Sequence, residues 1–458
     1  MTVIIAGDRS GSGKTTVTLA LLAALKQCHA QVQSFKVGPD YIDPMFHSRI
    51  TGRPCRNLDP ILTSEVYVRQ CFTRHSQHTD YGLIEGVMGL FDGASGHDDT
   101  ASTAHIARLL DVPVILVLNC ASISRSIAAL VHGYRTFDSR IRLAGLVLNR
   151  IGSDRHLALL KSALEPLNLP ILGILRRQDE ITIPDRHLGL VPIAELSNFD
   201  PLLAHLAHLG STCFDWQTLR PLLHSPTHPL SHSPTLPPPH SPIPPPRIAI
   251  AQDKAFNFHY VDNLEQLQQL GAELVPWSPI VNSALPADVD GLWFGGGFPE
   301  IFGAELAQNQ PAQQSVRAAI QAGMPTYAEC GGLMYLCQSV VDFAGQSHKM
   351  VGILPTSAVM GQRLTLGYRL ATALQTSSVM QPGEYLWGHE FHRSTLTHPA
   401  ASPLLKLQGY DADRVFPPDG WHPYQVHAAY THFHFGANPH LLQRFLQRCA
   451  QFRQTIKR

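Results

Sequence analysis

Residues 224 to 246, from His224-Ser225-Pro226 to Pro244-Pro245-Pro246, are almost all Pro, Ser, His and Thr. Such a stretch has little to bury and cannot build a core, so it is expected to be an extended, semi-rigid or disordered linker. It divides a chain of 458 residues near the middle. A chain of that length usually exceeds one hydrophobic core, so the division predicts a domain over 1–221, a linker over 222–246 and a second domain over 247–458. The linker histidines His224, His228, His232 and His240 are irregularly spaced and have no acidic or thiol partners nearby. That favours a solvated spacer over a metal site.

On either side of the linker, short apolar runs alternate with helical patterns. Before it the runs are 3–6, 32–37, 83–87, 114–118, 143–148 and 171–175, and Lys14 to Gln27 reads as the helix after the first of them. Near-continuous apolar strands belong to a sheet covered on both faces, so the first half is an α/β domain with a parallel sheet of the nucleotide-binding type. After the linker, strands at 247–251, 273–276, 291–294 and 326–328 and helices near 261–270 and 304–322 predict a second α/β domain.

Charge narrows the partners. Lys+Arg and Asp+Glu both number 35, so no global field draws in nucleic acid or an anionic membrane, and neither is expected as a partner. The eight cysteines (28, 55, 71, 120, 213, 330, 337, 449) form no CxxC pair. Scattered thiols fit a reducing compartment, and with no apolar run of membrane-spanning length and an N-terminus that reads as a strand, a cytoplasmic location is expected.

Two motifs carry chemistry. The first is Gly7-Asp8-Arg9-Ser10-Gly11-Ser12-Gly13-Lys14-Thr15-Thr16, a glycine-rich turn between a strand and a helix. Backbone N–H groups and the helix start can surround an anion there, Lys14 can reach the outer phosphates of ATP and Thr15 can ligate magnesium. The spacing is longer than the strict phosphate-loop pattern, with Asp8 where the first glycine would stand. Two acidic stretches close the next strands: Asp40-Tyr41-Ile42-Asp43 after the second, and Glu85 with Asp92 after the third. Ligands of open parallel sheets bind beyond the carboxyl ends of strands, where these carboxylates can hold magnesium; each aspartate also suits a plain turn. Asn149 ends another strand and either reads a purine edge or forms a turn.

The second motif is Ala328-Glu329-Cys330-Gly331-Gly332, with a strand before it and a helical pattern after it. Small flanking residues are what a strand-to-helix elbow needs to expose a nucleophile, and Gly331 can supply an oxyanion N–H. Gly295-Gly296-Gly297 is the expected second wall of that pocket. Tyr430 to Phe435 alternates like a strand, offering His432 as the base on the same side as His434. Cys337 has no such setting and reads as packing.

Taken together, the phosphate loop, Lys36 to His47, Glu85 to Gly93, Gly295 to Glu300, Glu329 to Leu333 and His432 to Phe435 resemble the cobyrinic acid a,c-diamide synthases of cobalamin biosynthesis. In that family a dethiobiotin-synthetase-like domain is fused to a class I type glutaminase. The resemblance implies a glutamine-hydrolysing ligase. ATP phosphorylates the a and c carboxylates of cobyrinic acid, and ammonia from L-glutamine displaces the phosphate, through a sheltered ammonia path between the domains. Carried over, Cys330 is the nucleophile and His432 its base; Gly11, Ser12, Gly13, Lys14, Thr15, Thr16 and Asn149 bind ATP; Thr15, Asp40 and Glu85 hold magnesium; Asp43 and Asp92 support the phosphoryl step; Gly296, Gly297 and Gly331 form the oxyanion pocket; and Tyr41 and Ile42 touch the ring. Where glutaminase domains of the cysteine-triad class place a Glu two residues after the base, this chain has His434, so the third member of a triad is not assigned. A homodimer is left open.

The nearest rival substrates are hydrogenobyrinic acid and a nickel sirohydrochlorin. A partitioning-type switch ATPase shares this sort of loop, but carries a lysine early in it where Ser10 stands, and has no use for Cys330 or His432. A non-catalytic corrinoid-binding scaffold would not need Cys330 either.

Overall fold

In the computed structural model the first half forms β1 (Val3–Gly7), β2 (Val32–Val37), β3 (Arg56–Leu58), β4 (Tyr81–Glu85), β5 (Val114–Asn119), β6 (Leu143–Ile151) and β7 (Ile171–Arg176). They make one sheet in the order β3-β2-β4-β1-β5-β6-β7, with all neighbours parallel. Every residue of β1 and β2 is buried, which requires cover on both faces and explains the unbroken apolar run of β1. The short β3 is not expected from the sequence, because Arg56-Asn57-Leu58 has no apolar run to mark it. The structure describes residues 2–177, 185–186, 189–195, 198–224, 244–411 and 414–456. Most of the linker, with His228, His232 and His240, lies outside them.

Two compact units result, the first covering Met1–Pro60 and Ser64–Ser233, the second Ile61–Thr63 and Pro234–Arg458. In the first, α1 (Lys14–Gln27) is buried from Val17 to Leu25. A helix apolar nearly all round needs partners on two sides. They are the sheet and α3 (Asp200–Thr212), while α2 (Ile42–Thr51) follows the second strand. A Cβ on Gly210 of α3 would lie 2.0 Å from the carbonyl oxygen of Ala20, so the two helices cross backbone against backbone.

The second unit opens with β8 (Arg247–Ala251), β9 (Glu273–Trp277), β10 (Gly291–Phe294) and β11 (Thr326–Glu329), followed by the short α4 (Gly331–Leu336). The helix expected over 304–322 is two helices, Gly303–Gln308 and Gln310–Gln321. Pro311 is the reason, since it is tolerated only in the first turn of the second. Cys337 does not continue α4; it begins β12 (Cys337–Val341) and is fully buried. Next come β13 (Ser347–Lys349), β14 (Leu354–Ala373), β15 (Tyr385–Leu396) and β16 (Leu405–Gly409), then β17 (Val426–Ala429) and β18 (His432–Phe433). The parallel sheet runs β9-β8-β10-β11-β17, and a mixed sheet runs β13-β12-β14-β15-β18 with β16 paired to β14. Apart from β18, no strand of this mixed sheet is expected from the sequence.

The strand expected over 430–435 is only β18, because His434 turns away to accept the Gly436 N–H at 3.1 Å and starts a single 3-10 turn. All eight cysteines are unpaired. Among the described residues no helix is long and apolar enough to cross a membrane.

The close crossing of α1 and α3 makes a prediction. Gly210→Ala should destabilise the protein by about 2 kcal/mol, the usual cost of forcing packed elements apart, read as a lower urea midpoint. A midpoint equal to that of the unaltered protein would contradict the crossing.

Candidate active sites

In the first unit the pieces of the site come from the carboxyl ends of β1, β4 and β2, neighbours in that order. The chain leaves β1 at Gly7 and enters α1 at Lys14. Gly13, at φ 98°, packs so closely on Asn149 that a Cβ there would be 2.1 Å from the Asn149 amide nitrogen. That amide donates to the Ser12 carbonyl at 2.9 Å, and Asn149 Oδ1 accepts the Arg150 N–H at 2.8 Å. Asn149 therefore braces the loop. Gly11 is exposed, Ser12 buried, and Thr15 and Thr16 half-buried in the first turn of α1. The Lys14 ammonium donates to Met88 O at 2.5 Å, and burial and the nearby Lys36 charge lower its pKa.

Below the loop lies a charge cluster. Lys36 and Glu85 are register partners on β2 and β4, so their side chains emerge side by side on one face of the sheet. Lys36 Nζ is 2.7 Å from Asp43 Oδ2, 3.0 Å from Glu85 Oε1 and 3.8 Å from Asp40 Oδ2. Burial would discharge this amine, but Asp43, Glu85 and Asp40 outweigh burial and hold its pKa well above the usual value. On the far side of Glu85, His47 Nε2 is 2.7 Å from Oε2, and the Cys55 thiol is 3.4 Å from His47 Nδ1. Burial would push Glu85 up, yet Lys36 and His47 hold it well below the carboxylate range.

Thr15 Oγ1 is 2.6 Å from Glu85 Oε1 and 3.4 Å from Asp43 Oδ2, so a hydroxyl and two carboxylates meet at the first turn of α1. Burial and the neighbouring Asp40 push Asp43 up to about 8. Crowded anionic oxygens beside an anion-cradling loop are a donor set that fits magnesium.

Other expected residues sit differently. Asp40 uses Oδ1 to accept the N–H groups of Ile42 and Asp43, at 2.8 and 3.2 Å, at the start of α2. Its other oxygen faces Lys36. Asp92 Oδ2 accepts the Gly89 N–H at 2.9 Å, the turn role. Tyr41 and Ile42 are only 7% and 5% exposed, so neither offers a face to a macrocycle. Lys36 and His47 were given no role by the sequence reading.

In the second unit three neighbouring strands, β10, β11 and β17, deliver the parts. Cys330 follows β11 at φ 48°, ψ −102°, a conformation costly for any residue with a side chain. It is held there because its N–H donates to Ala429 O at 2.8 Å while its carbonyl accepts the Met334 N–H at 3.0 Å. A Cβ on Gly331 would stand 3.0 Å from Gly297 N, so the loop after β10 touches the start of α4. Gly296 donates its N–H to Phe258 O at 3.2 Å and is a wall rather than an oxyanion donor, which corrects the expectation. Gly297 and Gly331 remain as donors; the Gly331 N–H begins a helix, where no intrahelical acceptor is available.

His432 is 1% exposed and closes this pocket. Burial would depress its pKa, but negative charge on the Cys330 sulfur and the Glu329 carboxylate raise it. Glu329 Oε1 is 3.3 Å from His432 Nδ1, a contact absent from the sequence reading. His434 does not share it. Its Nε2 is 3.9 Å from Asp262 Oδ2 and its ring packs on Tyr260.

Removing the cation at the centre of the first cluster should be damaging. Lys36→Met leaves buried carboxylates facing each other and is expected to cost about 3–5 kcal/mol in urea unfolding, with part regained in Lys36→Met/Glu85→Gln. A single variant as stable as the unaltered protein would contradict the reading of the cluster.

Comparison with known proteins assigns a family to each half of the chain. Residues 3–191 match the CobQ/CobB/MinD/ParA nucleotide binding domain and residues 247–440 match the CobB/CobQ-like glutamine amidotransferase domain. A protein of Synechococcus sp. named cobyrinate a,c-diamide synthase is 59% identical over 98% of this chain and 99% of its own length. One of the same name from Synechocystis sp. is 51% identical over 100% of this chain and 95% of its own. A Streptomyces coelicolor protein named hydrogenobyrinate a,c-diamide synthase is 40% identical over 98% of this chain and 97% of its own.

Proposed function

The chain belongs to the cobyrinate a,c-diamide synthase family, and on that premise we propose that it amidates the a and c side-chain carboxylates of cobyrinic acid, using ATP and glutamine. The observation that carries this reading is Cys330, held on a positive-φ elbow beside His432, in a chain whose other unit presents a phosphate loop over buried carboxylates. An amidating ligase needs both. A carboxylate is a poor electrophile toward ammonia until one oxygen becomes a leaving group, which phosphorylation by ATP provides.

In the glutaminase unit, Cys330 gives its proton to His432 and attacks the glutamine carboxamide carbon. Gly297 and Gly331 face the oxygen of the tetrahedral intermediate. His432 returns the proton to the departing nitrogen, ammonia leaves, and water cleaves the thioester to glutamate. In the synthetase unit, Lys14 and the N–H groups of Gly11 to Thr16 hold the phosphates. Thr15, Glu85 and Asp43 would hold magnesium, with Asp40 at the rim, and the ion would offset charge as the phosphoryl group moves. Lys36 keeps Glu85 ionised and fixes both Glu85 and Asp43 for that task.

Cobyrinic acid is favoured over its metal-free counterpart by the higher identity of the relatives named for it. The unpaired cysteines support a reducing, cytoplasmic setting, and the equal numbers of basic and acidic residues give no support to nucleic acid or membrane as a partner.

Cys330→Ala should abolish glutamine-dependent synthesis while leaving ammonia-dependent synthesis near its full rate. Equal loss with both nitrogen sources, or loss with neither, would overturn the nucleophile assignment. Thr15→Ala should raise the magnesium concentration at half-maximal ATP turnover by about tenfold, the worth of one lost ligand or its support, and leave glutamate release without ATP unchanged.

A further inference from the structure

We propose that Glu329, the residue directly before the nucleophile, is the positioning carboxylate of the Cys330–His432 pair. The assignment rests on the glutaminase reading above and deepens it.

Glu329 closes β11 opposite Ala429 of β17, and the chain runs on from Ala429 to bring His432 over it. The carboxylate is 3% exposed. Its Oε2 is anchored, accepting the Tyr327 hydroxyl at 2.7 Å and the Phe433 N–H at 3.4 Å. Its Oε1 faces His432 Nδ1 at 3.3 Å. An anion held at Nδ1 places the ring proton there and leaves the other nitrogen with its lone pair for the thiol. When the S–H proton crosses to that nitrogen, the imidazolium lies between thiolate and carboxylate. The thiolate then forms the C–S bond as the carbonyl opens to the tetrahedral oxyanion, and the proton passes to the amide nitrogen as the C–N bond breaks and the carbonyl reforms. Glu329 neither gains nor loses a proton in this sequence.

The surrounding groups do not compete. His389, opposite His432 on β15, is driven down to about 3 by burial and by the His432 and Arg369 charges. Burial also lowers His259, against the pull of Glu329, and burial beside Glu329 holds the Tyr327 phenol well above its usual value, so it stays a donor. His434, in the position where the resemblance expects an acid, is a turn residue: its Nδ1 accepts the Gly436 N–H and its ring packs on Tyr260.

The test compares Glu329→Gln, Glu329→Asp and His434→Asn in the full-length protein. A glutamine amide at Nδ1 favours the wrong ring tautomer. Glu329→Gln should therefore lower kcat for glutamine hydrolysis by roughly a hundredfold or more, with KM for glutamine and ammonia-dependent synthesis unchanged. Alkylation of Cys330 by iodoacetamide at pH 7 should slow by about tenfold, the effect of one neighbouring charge, and recover as pH is raised. Glu329→Asp, which keeps the charge, should regain part of both rates, and His434→Asn, which can still accept the Gly436 N–H, should match the unaltered protein. Unchanged hydrolysis and alkylation in Glu329→Gln, or their loss in His434→Asn, would overturn the assignment. Normal glutamate release from Cys330→Ala would instead overturn the glutaminase reading beneath it.

Discussion

The ammonium group of Lys36 is the contact on which the synthetase unit depends. It is withdrawn from water between Glu85 and Asp43, and a buried ion is tolerated only when it is paired. Each carboxylate in turn needs the lysine, because burial and mutual repulsion work against both. Sheet register places Lys36 beside Glu85 before any ligand arrives, and His47 fixes the second Glu85 oxygen. The hydroxyl of Thr15 then meets an anion whose position and charge are already set, directly under the loop that takes the phosphates.

The glutaminase unit solves a related problem with opposite sign. Here the buried group that must become charged is an imidazole, and the anions beside it are a thiolate and a carboxylate from consecutive residues of one strand end. Backbone geometry makes that juxtaposition available. The positive φ of Cys330 turns its side chain away from the strand direction, and neighbouring glycines leave room for the elbow. The strain at Cys330 is offset by hydrogen bonds on both sides of the residue, to Ala429 and from Met334.

Much of this was legible in the sequence, and the residues show where legibility stops. Apolar runs located most strands of both parallel sheets, though not β3 or β17, since continuous burial leaves a local trace, and the helix over Lys14 to Gln27 was marked by both its loop and its period. Cys330 and Gly331 stood out through their local pattern. The mixed sheet over 337–433 did not, because its half-buried strands interleave polar and apolar residues over irregular lengths. Partners set by register were also hidden. Nothing local says that Lys36 will lie beside Glu85, that Asn149 will spend its amide on Ser12, or that Glu329 will reach His432 on a strand of the other sheet. Tyr41 and Ile42 looked like ring contacts because they lie between two aspartates; packing buries them instead.

The central claim is that hydrolysis of glutamine and of ATP serve one chemical outcome on one ring. Its most direct test follows ADP, glutamate and ring product together, with cobyrinic acid, hydrogenobyrinic acid or no corrinoid present, and weighs the ring by mass spectrometry. The account predicts that ADP and glutamate accumulate in step with a product lighter by two OH-to-NH2 exchanges, fastest with cobyrinic acid. ATP turnover at the same rate with and without any corrinoid, and no change in ring mass, would contradict it.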